Sequence, residues 1–142
     1  MTNLLFVYGT LRRDFDGMPH PFLSECDYLG EAYFNGKLYD LGVFPGAVPS
    51  DNPIDRVKGE VYRLRQPESL LSALDVYECA VGLDRLYRRD LVDTVLKEGI
   101  RIKAYIYIFD NPVNGYTRIE SGDYLEYLRE NEFSTLDESI EL

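Results

Sequence analysis

The sequence predicts an α+β domain, on the basis of three observations. Two segments, Val57 to Leu64 and Ile100 to Phe109, alternate in hydropathy with the period of a half-buried strand. A third, from Pro67 to Glu78, has the apolar spacing of one helix face. The chain has 142 residues, the size of one ordinary domain, so we expect residues 1–142 to share one core, with 131–142 as an acidic tail.

Composition excludes several classes of function. The net charge of −10 repels phosphate backbones, so no nucleic-acid binding is expected. No segment approaches the ~20 apolar residues that span a bilayer, and the N-terminus lacks a basic signal region, so we expect a cytoplasmic protein that does not bind membranes. A single histidine, His20, excludes multi-histidine metal sites and leaves acid and base chemistry to carboxylates. Cys26 and Cys79 lack the spacing of a metal or redox motif and are interpreted as reduced thiols.

The N-terminal segment carries the first candidate binding element. Residues 3–9 predict a strand, and Gly9 then allows a turn in which the backbone comes close to another group. Successive amides in such a turn form a concavity suited to a carboxylate or an oxyanion. An ordinary turn after a buried strand is the alternative. The segment from Arg12 to Pro21 is predicted to be loop, with His20 either exposed or touching a ligand.

Three predictions concern the next part of the chain. Alternation from Tyr28 to Leu41 predicts a strand with an irregularity at Asn35-Gly36, or a hairpin turning there. Residues 42–49 contain too many breakers for regular structure but are apolar enough to form a pocket wall. Within the strand from Val57 to Leu64, Gly59 allows a bulge or a close backbone approach.

Glu78 is the candidate catalytic group. A helix is predicted to begin at Pro67 and to bury the stripe Leu70, Leu71, Leu74 and Tyr77. Glu78 lies on the edge of that stripe, where burial and the negative end of the helix dipole raise the pKa of a carboxyl. Asp75 either raises that pKa further by repulsion or faces water. In the alternative interpretation, Glu78 simply forms an ion pair with Arg85, Arg88 or Arg89.

The C-terminal half predicts two strands and a helix. Tyr87 to Leu96 and Ile100 to Phe109 are strands around a turn at residues 97–99. The second strand has an aromatic face, which indicates either a pocket wall or a packed tyrosine ladder. Ser121 is the predicted N-cap of a terminal helix whose N-terminus is a possible anion anchor. The apolar stripe of that helix is predicted to comprise Tyr124, Leu125 and Leu128.

Five sequence blocks, in this order, resemble the gamma-glutamylcyclotransferase-like family: Tyr8-Gly9-Thr10-Leu11-Arg12, Leu74-Asp75-Val76-Tyr77-Glu78, Tyr87-Arg88-Arg89, Ala104-Tyr105-Ile106-Tyr107 and Ser121-Gly122-Asp123-Tyr124. The resemblance implies a twisted mixed sheet, partly closed into a small barrel and flanked by a mid-chain and a C-terminal helix. Two departures from the family pattern are Cys79-Ala80, where a Gly usually follows the Glu, and Asp14, Asp16 and His20 in the first loop.

The resemblance also implies an activity: release of 5-oxoproline from a small γ-glutamyl amide by attack of its own α-amine, with no cofactor and no metal. Glu78 would then be the general acid and base. Substrate would be bound by Tyr8, Gly9, Thr10 and Leu11 and by walls formed by Tyr87, Tyr107 and Tyr124. The leaving group stays open between an amine, an amino acid, a lysine side chain and a natural-product intermediate. Two alternatives are a non-catalytic small-ligand module and an acidic protein-interaction module.

Overall fold

The computed structural model describes residues 2–13, 17–78 and 85–131. The strands are β1 (Leu4–Val7), β2 (Asp27–Phe34), β3 (Gly36–Asp40), β4 (Pro45–Pro49), β5 (Val57–Arg63), β6 (Tyr87–Leu96), β7 (Arg101–Phe109) and β8 (Thr117–Arg118). The helices are α1 (Pro67–Tyr77), α2 (residues 124–131) and a single 3-10 turn at Pro21–Leu23.

Five strands close into a barrel in the order β1, β5, β2, β6, β7. The barrel closes where β1 runs parallel to β7, with Leu5 beside Tyr105, and the other pairs are antiparallel. Alternation places Ala104, Ile106 and Ile108 of β7 in the core, fully buried. The predicted α+β fold with a mixed sheet closing into a small barrel is therefore confirmed.

Gly59 is a point of close backbone approach inside the barrel. A Cβ at this position would lie 2.2 Å from the carbonyl oxygen of Val7, so a larger residue would force β5 away from β1. The irregularity in pairing with β5 lies in β2 instead, between Tyr28 and Gly30. Of the two predicted roles for Gly59, close approach is the correct one.

At Asn35 the chain leaves the barrel and enters a second sheet, in which β3 lies between β4 and β8. The Asn35 side-chain amide donates to the carbonyl oxygens of Asn52 and Asp55, both at 2.8 Å, and thereby fixes the crossing. Because β2 and β3 belong to different sheets, the hairpin alternative was wrong. The strand with an irregularity at Asn35-Gly36 was correct.

The segment predicted to be irregular contains a regular strand, β4. It pairs with β3 from Gly36 beside Pro49 to Asp40 beside Pro45. Proline removes a backbone donor, but these two prolines occupy the ends of an edge strand, where the missing N–H groups break no ladder. The breakers that argued against a strand are therefore compatible with this one.

Both helices occur where they were predicted, with corrections of detail. In α1, Leu71 and Leu74 are buried as expected, but Tyr77 is 45% exposed. The N-cap of α2 is Asp123 and not Ser121, because the Asp123 carboxylate accepts from the amides of Leu125 at 3.1 Å and Glu126 at 3.3 Å. In the predicted α2 stripe Tyr124 is buried, whereas Leu128 is 38% exposed.

Candidate active site

The turn after β1 presents free backbone donors to a cavity. Arg12 N donates to the carbonyl oxygen of Gly9 at 3.0 Å, so Thr10 and Leu11 occupy the centre of a four-residue turn. Within the part of the chain that the structure describes, the amides of Gly9, Thr10 and Leu11 donate no hydrogen bond. All three residues line the cavity, so their amides are available to an anionic group.

Gly9 is required for close packing of this turn. A Cβ there would lie 2.8 Å from Cγ and 3.2 Å from Cδ of Pro45, the first residue of β4. Any side chain larger than hydrogen would therefore displace the turn or the proline. The backbone at Gly9 therefore makes the predicted close approach, and its neighbour there is Pro45, a residue of the second sheet that also lines the cavity.

Arg12 anchors the end of the turn in a buried ionic network. Its Nε lies 3.2 Å from Oε2 of Glu60, and its Nη1 lies 2.9 Å from Oδ1 of Asp123. Glu60 Oε1 also accepts from Arg13 N at 3.0 Å and from the Tyr62 hydroxyl at 3.0 Å. The turn is thus tied to β5 and to the N-terminus of α2. The predicted anion anchor at that N-terminus is occupied by the Asp123 carboxylate.

Glu78 enters the same cavity from the end of α1. Its backbone N–H donates to the carbonyl oxygen of Leu74 at 2.8 Å, which makes Glu78 the C-cap of the helix. The side chain is half-buried, and burial raises the pKa of its carboxyl from 4.5 to about 7. A group with this pKa is about half ionised at neutral pH, which suits general acid and base catalysis.

The predicted ion-pair alternative for Glu78 was wrong among the described residues. Arg85 and Arg88 bind the carboxylate of Asp110, and Arg89 binds that of Asp75. The Asp75 carboxylate also accepts a hydrogen bond from the Tyr107 hydroxyl at 2.7 Å. Both its charge and its hydrogen-bonding capacity are therefore used by residues other than Glu78. Burial, and not repulsion by Asp75, raises the pKa of Glu78.

Three tyrosines form the rigid walls of the cavity. The Tyr8 hydroxyl donates to the Tyr107 carbonyl oxygen at 2.6 Å and accepts from Ala47 N at 3.2 Å. The Tyr87 hydroxyl donates to the carbonyl oxygen of Pro45, also at 2.6 Å. Burial raises the pKa of Tyr8 well above its usual range, and neighbouring Tyr87 and Glu78 raise it further. The Tyr8 hydroxyl therefore remains protonated, and the hydroxyls of Tyr8 and Tyr87 together link β1, β4, β6 and β7 around the site.

The cavity is open to solvent, and the space not filled by atoms between its lining residues and at its mouth amounts to about 360 Å³. It brings together seven of the eight residues predicted for the site: Tyr8, Gly9, Thr10, Leu11, Glu78, Tyr87 and Tyr107. Tyr124 is not in its lining and packs in the hydrophobic core instead. Phe44 and Pro45 contribute a wall, as the apolar character of residues 42–49 indicated.

The histidine and the cysteines noted in the sequence do not line the cavity among the described residues. His20 Nδ1 accepts from Phe22 N at 3.2 Å and caps the 3-10 turn, and burial lowers the pKa of this imidazole. Cys26 is a free thiol, whereas Cys79 lies outside the described residues. Arg12 was not singled out from the sequence, although a charged residue directly after a buried strand and turn was a signal for a buried partner.

The fold and the cavity together define a class of protein. It is a small mixed barrel in which a half-buried carboxyl and a turn of backbone amides line one cavity, neither with a partner among the described residues. Within the described residues, no helix has the length and apolar character needed to cross a membrane. The sequence model of the family described as "Gamma-glutamyl cyclotransferase, AIG2-like" matches residues 5–126. The chain therefore belongs to the gamma-glutamylcyclotransferase, AIG2-like family, as the sequence blocks indicated.

Individual relatives agree with this assignment. The Escherichia coli protein named gamma-glutamylcyclotransferase family protein YtfP is 37% identical over 123 residues, covering 86% of this chain and 96% of the relative. Its solution structure superposes with a TM-score of 0.61 at 36% identity, covering 87% of this chain and 97% of the other. The crystal structure of an uncharacterized Pyrococcus horikoshii protein gives a TM-score of 0.65 at 28% identity, covering 93% and 98%.

Proposed function

We propose that the protein releases 5-oxoproline from a γ-glutamyl amide by intramolecular aminolysis, with Glu78 as general acid and base. The observation that carries the proposal is that one cavity is lined both by Glu78 and by the Gly9–Leu11 amides. The raised pKa of the Glu78 carboxyl supports it, because a carboxyl near pKa 7 both accepts and returns a proton at neutral pH. Membership of the family described as gamma-glutamyl cyclotransferase supports the substrate class.

The proton transfers balance without an added reagent. Ionised Glu78 takes a proton from the substrate's α-ammonium, and the resulting amine attacks the γ-carbonyl carbon, forming the ring C–N bond. The tetrahedral intermediate collapses as the original amide C–N bond breaks, and Glu78 returns its proton to the departing nitrogen. Glu78, ionised again, then takes the second proton from the ring nitrogen and passes it to the released amine. In all, the α-nitrogen loses two protons to become the lactam N–H, and the released amine gains two to become an ammonium.

Orientation of the substrate and stabilisation of its negative charge would supply the rest of the rate enhancement. The nucleophile and the carbonyl already belong to one molecule, so holding the folded conformer contributes only part of the roughly 7–11 kcal/mol that orientation can supply at the limit. The amides of Gly9, Thr10 and Leu11 would bind the α-carboxylate or the tetrahedral oxyanion. Tyr8, Tyr87 and Tyr107 enclose the site, and exclusion of water suppresses competing hydrolysis.

The test compares Glu78→Gln with the wild type on a panel of γ-glutamyl amides, measuring released 5-oxoproline. We expect kcat to fall by about 10² to 10⁴-fold, because the amide cannot accept the ammonium proton. The matched control is Glu68→Gln, the same chemical change at an exposed position in the first turn of α1, which should retain activity. Wild-type turnover by folded Glu78→Gln would overturn the assignment of the base, and substrate binding without turnover by the wild type would indicate a non-catalytic module.

A further inference from the structure

A second concavity, which we call the basic cleft, lies where β6 ends and β7 begins. Its lining includes Tyr33, Arg56, Val95, Lys97 and Arg101. The cleft is open to solvent, and the space not filled by atoms between its lining residues and at its mouth amounts to about 1040 Å³. Among the described residues it shares no lining with the catalytic cavity, so a ligand bound here would leave that cavity free.

The register of the barrel strands builds the floor of the cleft. Tyr33 of β2 is the partner of Val95 of β6, and Val95 is the partner of Arg101 of β7. Because opposed residues of antiparallel strands have their side chains on the same face of the sheet, these three side chains form one row. The row lies on the outer face of the barrel, since the neighbouring Ala32 and Thr94 are buried. The barrel itself therefore fixes the floor.

Two guanidinium groups of the cleft are not neutralised. Within the residues that the structure describes, Arg56 and Arg101 have no carboxylate at ion-pair distance. Asp93, the acidic residue of the lining, is bound instead by Lys103, whose Nζ lies 3.0 Å from its Oδ1. The chain as a whole has a net charge of −10, so this positive region is local and attracts anions to one concavity.

Lys97 adds a third cation, which is only partly neutralised. Its Nζ lies 3.8 Å from Oε2 of Glu31, and the other carboxylate oxygen of Glu31 lies 3.8 Å from Nζ of Lys58. One carboxylate thus serves two ammonium groups, each at a long ion-pair distance. Because the Lys97 side chain is 69% exposed, this weak pair leaves its ammonium available to a ligand in the cleft.

Arg56 is held over the cleft by stacking. Its Cζ lies 4.7 Å from the centroid of the Tyr33 ring. A stacked guanidinium uses its flat face for the aromatic ring and leaves the N–H donors along its edge for oxygen atoms. Because Tyr33 belongs to the floor of the cleft, the N–H groups of Arg56 are positioned before an anion binds.

We infer that the basic cleft binds a small anion that contains a diphosphate group. A guanidinium binds phosphate oxygens through two N–H donors at once, and two guanidiniums beside an ammonium match the charge of two linked phosphates. A single carboxylate would satisfy only one of the three cations. The ligand is distinct from the γ-glutamyl substrate, because the cleft and the catalytic cavity lie at opposite ends of β6, at Val95 and Tyr87. The inference does not depend on the proposed function.

Calorimetric titration of the full chain with pyrophosphate and with acetate, at fixed ionic strength, tests the inference. We expect pyrophosphate to bind about tenfold tighter or more, and its affinity to fall as NaCl is raised, because both effects depend on the charges in contact. Equal affinity for the two anions would overturn the inference. Tighter binding of a hexaglutamate peptide than of pyrophosphate would also overturn it, because the cleft would then be a surface for acidic proteins.

ADP and adenosine distinguish the two sources of a diphosphate group. If the ligand is a nucleotide, ADP should bind about tenfold tighter than pyrophosphate, because its base gains contact with the apolar part of the floor at Val95. If the ligand is a simple diphosphate, ADP should bind no tighter than pyrophosphate. Binding of adenosine as tight as that of ADP would show that the phosphates are not recognised and would overturn the inference.

Arg101→Gln tests the proposed site with a matched control. It should lower the affinity for pyrophosphate by about tenfold, because it removes one guanidinium from the floor of the cleft. The control is Arg63→Gln: Arg63 is an exposed arginine of β5, has no carboxylate partner among the described residues and lies outside the cleft. The control should lose less than about twofold, because salt screens a distant surface charge. Equal losses would mean that only overall charge matters and would overturn the inference.

The free amides of Gly9, Thr10 and Leu11 are a second place where an anion can bind, and NMR spectra of the isotope-labelled wild type separate the two. Addition of pyrophosphate should shift the backbone amide signals of Tyr33 and Arg101 most. Larger shifts at Gly9 to Leu11 would place the anion in the catalytic cavity and overturn the inference. Because these measurements follow binding and not turnover, their outcome is independent of whether the protein releases 5-oxoproline.

Discussion

Two acidic side chains lie near the turn after β1, Glu60 buried and Glu78 half-buried, and their surroundings differ. Glu60 accepts hydrogen bonds from Arg12, Arg13 and Tyr62 and is 5% exposed. Glu78 accepts none from the described residues, and burial raises the pKa of its carboxyl to about 7. The same type of side chain is therefore a structural anchor where it is paired, and where it is unpaired it has the raised pKa that our proposal requires of a general acid and base.

The comparison predicts that a Glu→Gln substitution changes the free energy of unfolding differently at the two positions. Glu60→Gln should lower the free energy of unfolding by about 3 to 5 kcal/mol, because it leaves the buried guanidinium of Arg12 with one carboxylate instead of two. Urea unfolding measures this, with Glu78→Gln as the matched variant that should lose no stability. Similar destabilisation of the two variants would show that the two sites do not differ as described.

Proton uptake by Glu78 should dominate the pH dependence of activity. In the proposed mechanism the carboxylate is the form of Glu78 that accepts the ammonium proton, so kcat/KM should fall as pH drops through about 7, by roughly tenfold per pH unit below it. At pH 5 the loss should reach about 100-fold relative to the plateau. A pH profile between 5 and 9 measures it, and a limb near 4.5 would mean that the carboxyl is solvated in the working enzyme.

The same pKa predicts a smaller effect on stability, with the opposite sign to that of a paired carboxylate. Between pH 4.5 and 7 the folded protein holds the Glu78 proton and the unfolded chain does not, so stability should decrease as pH rises through this window. Glu78→Gln removes this cost and should be about 2 to 3 kcal/mol more stable than the wild type at pH 8, and nearly equal to it at pH 4.5. Thermal melts at the two pH values measure the difference, which a pH-independent gap would contradict.

Local sequence patterns account for one of the two acidic sites and not for the other. The spacing of Glu78 from Leu74 on one helix was enough to predict its half-buried position and its raised pKa. Arg12 binds Glu60, 48 positions away in sequence, and Asp123, 111 positions away. No local sequence pattern predicts which distant carboxylates will contact a given guanidinium.

The errors in the predicted secondary structure also arise because tertiary contacts decide what local sequence leaves open. Strand β4 was missed because its prolines are breakers in isolation and acceptable only at the ends of an edge strand, which depends on the sheet order. Ser121 and Asp123 are both good N-caps by residue type. Packing decides between them, since a Cβ at Gly122 would lie 1.9 Å from the Arg56 carbonyl oxygen, which fixes the chain just before Asp123.

The smallest predicted effect tests whether the turn between the two acids is held by packing. Gly9→Ala should cost about 1 to 3 kcal/mol of unfolding free energy, since its Cβ would meet Pro45 Cγ at 2.8 Å. Pro45→Ala removes that atom, so the double variant should recover about 1 kcal/mol relative to the sum of the single changes. Urea unfolding of the four proteins measures this coupling. Strict additivity would mean that the turn adapts freely, and that the amides facing Glu78 are not positioned by β4.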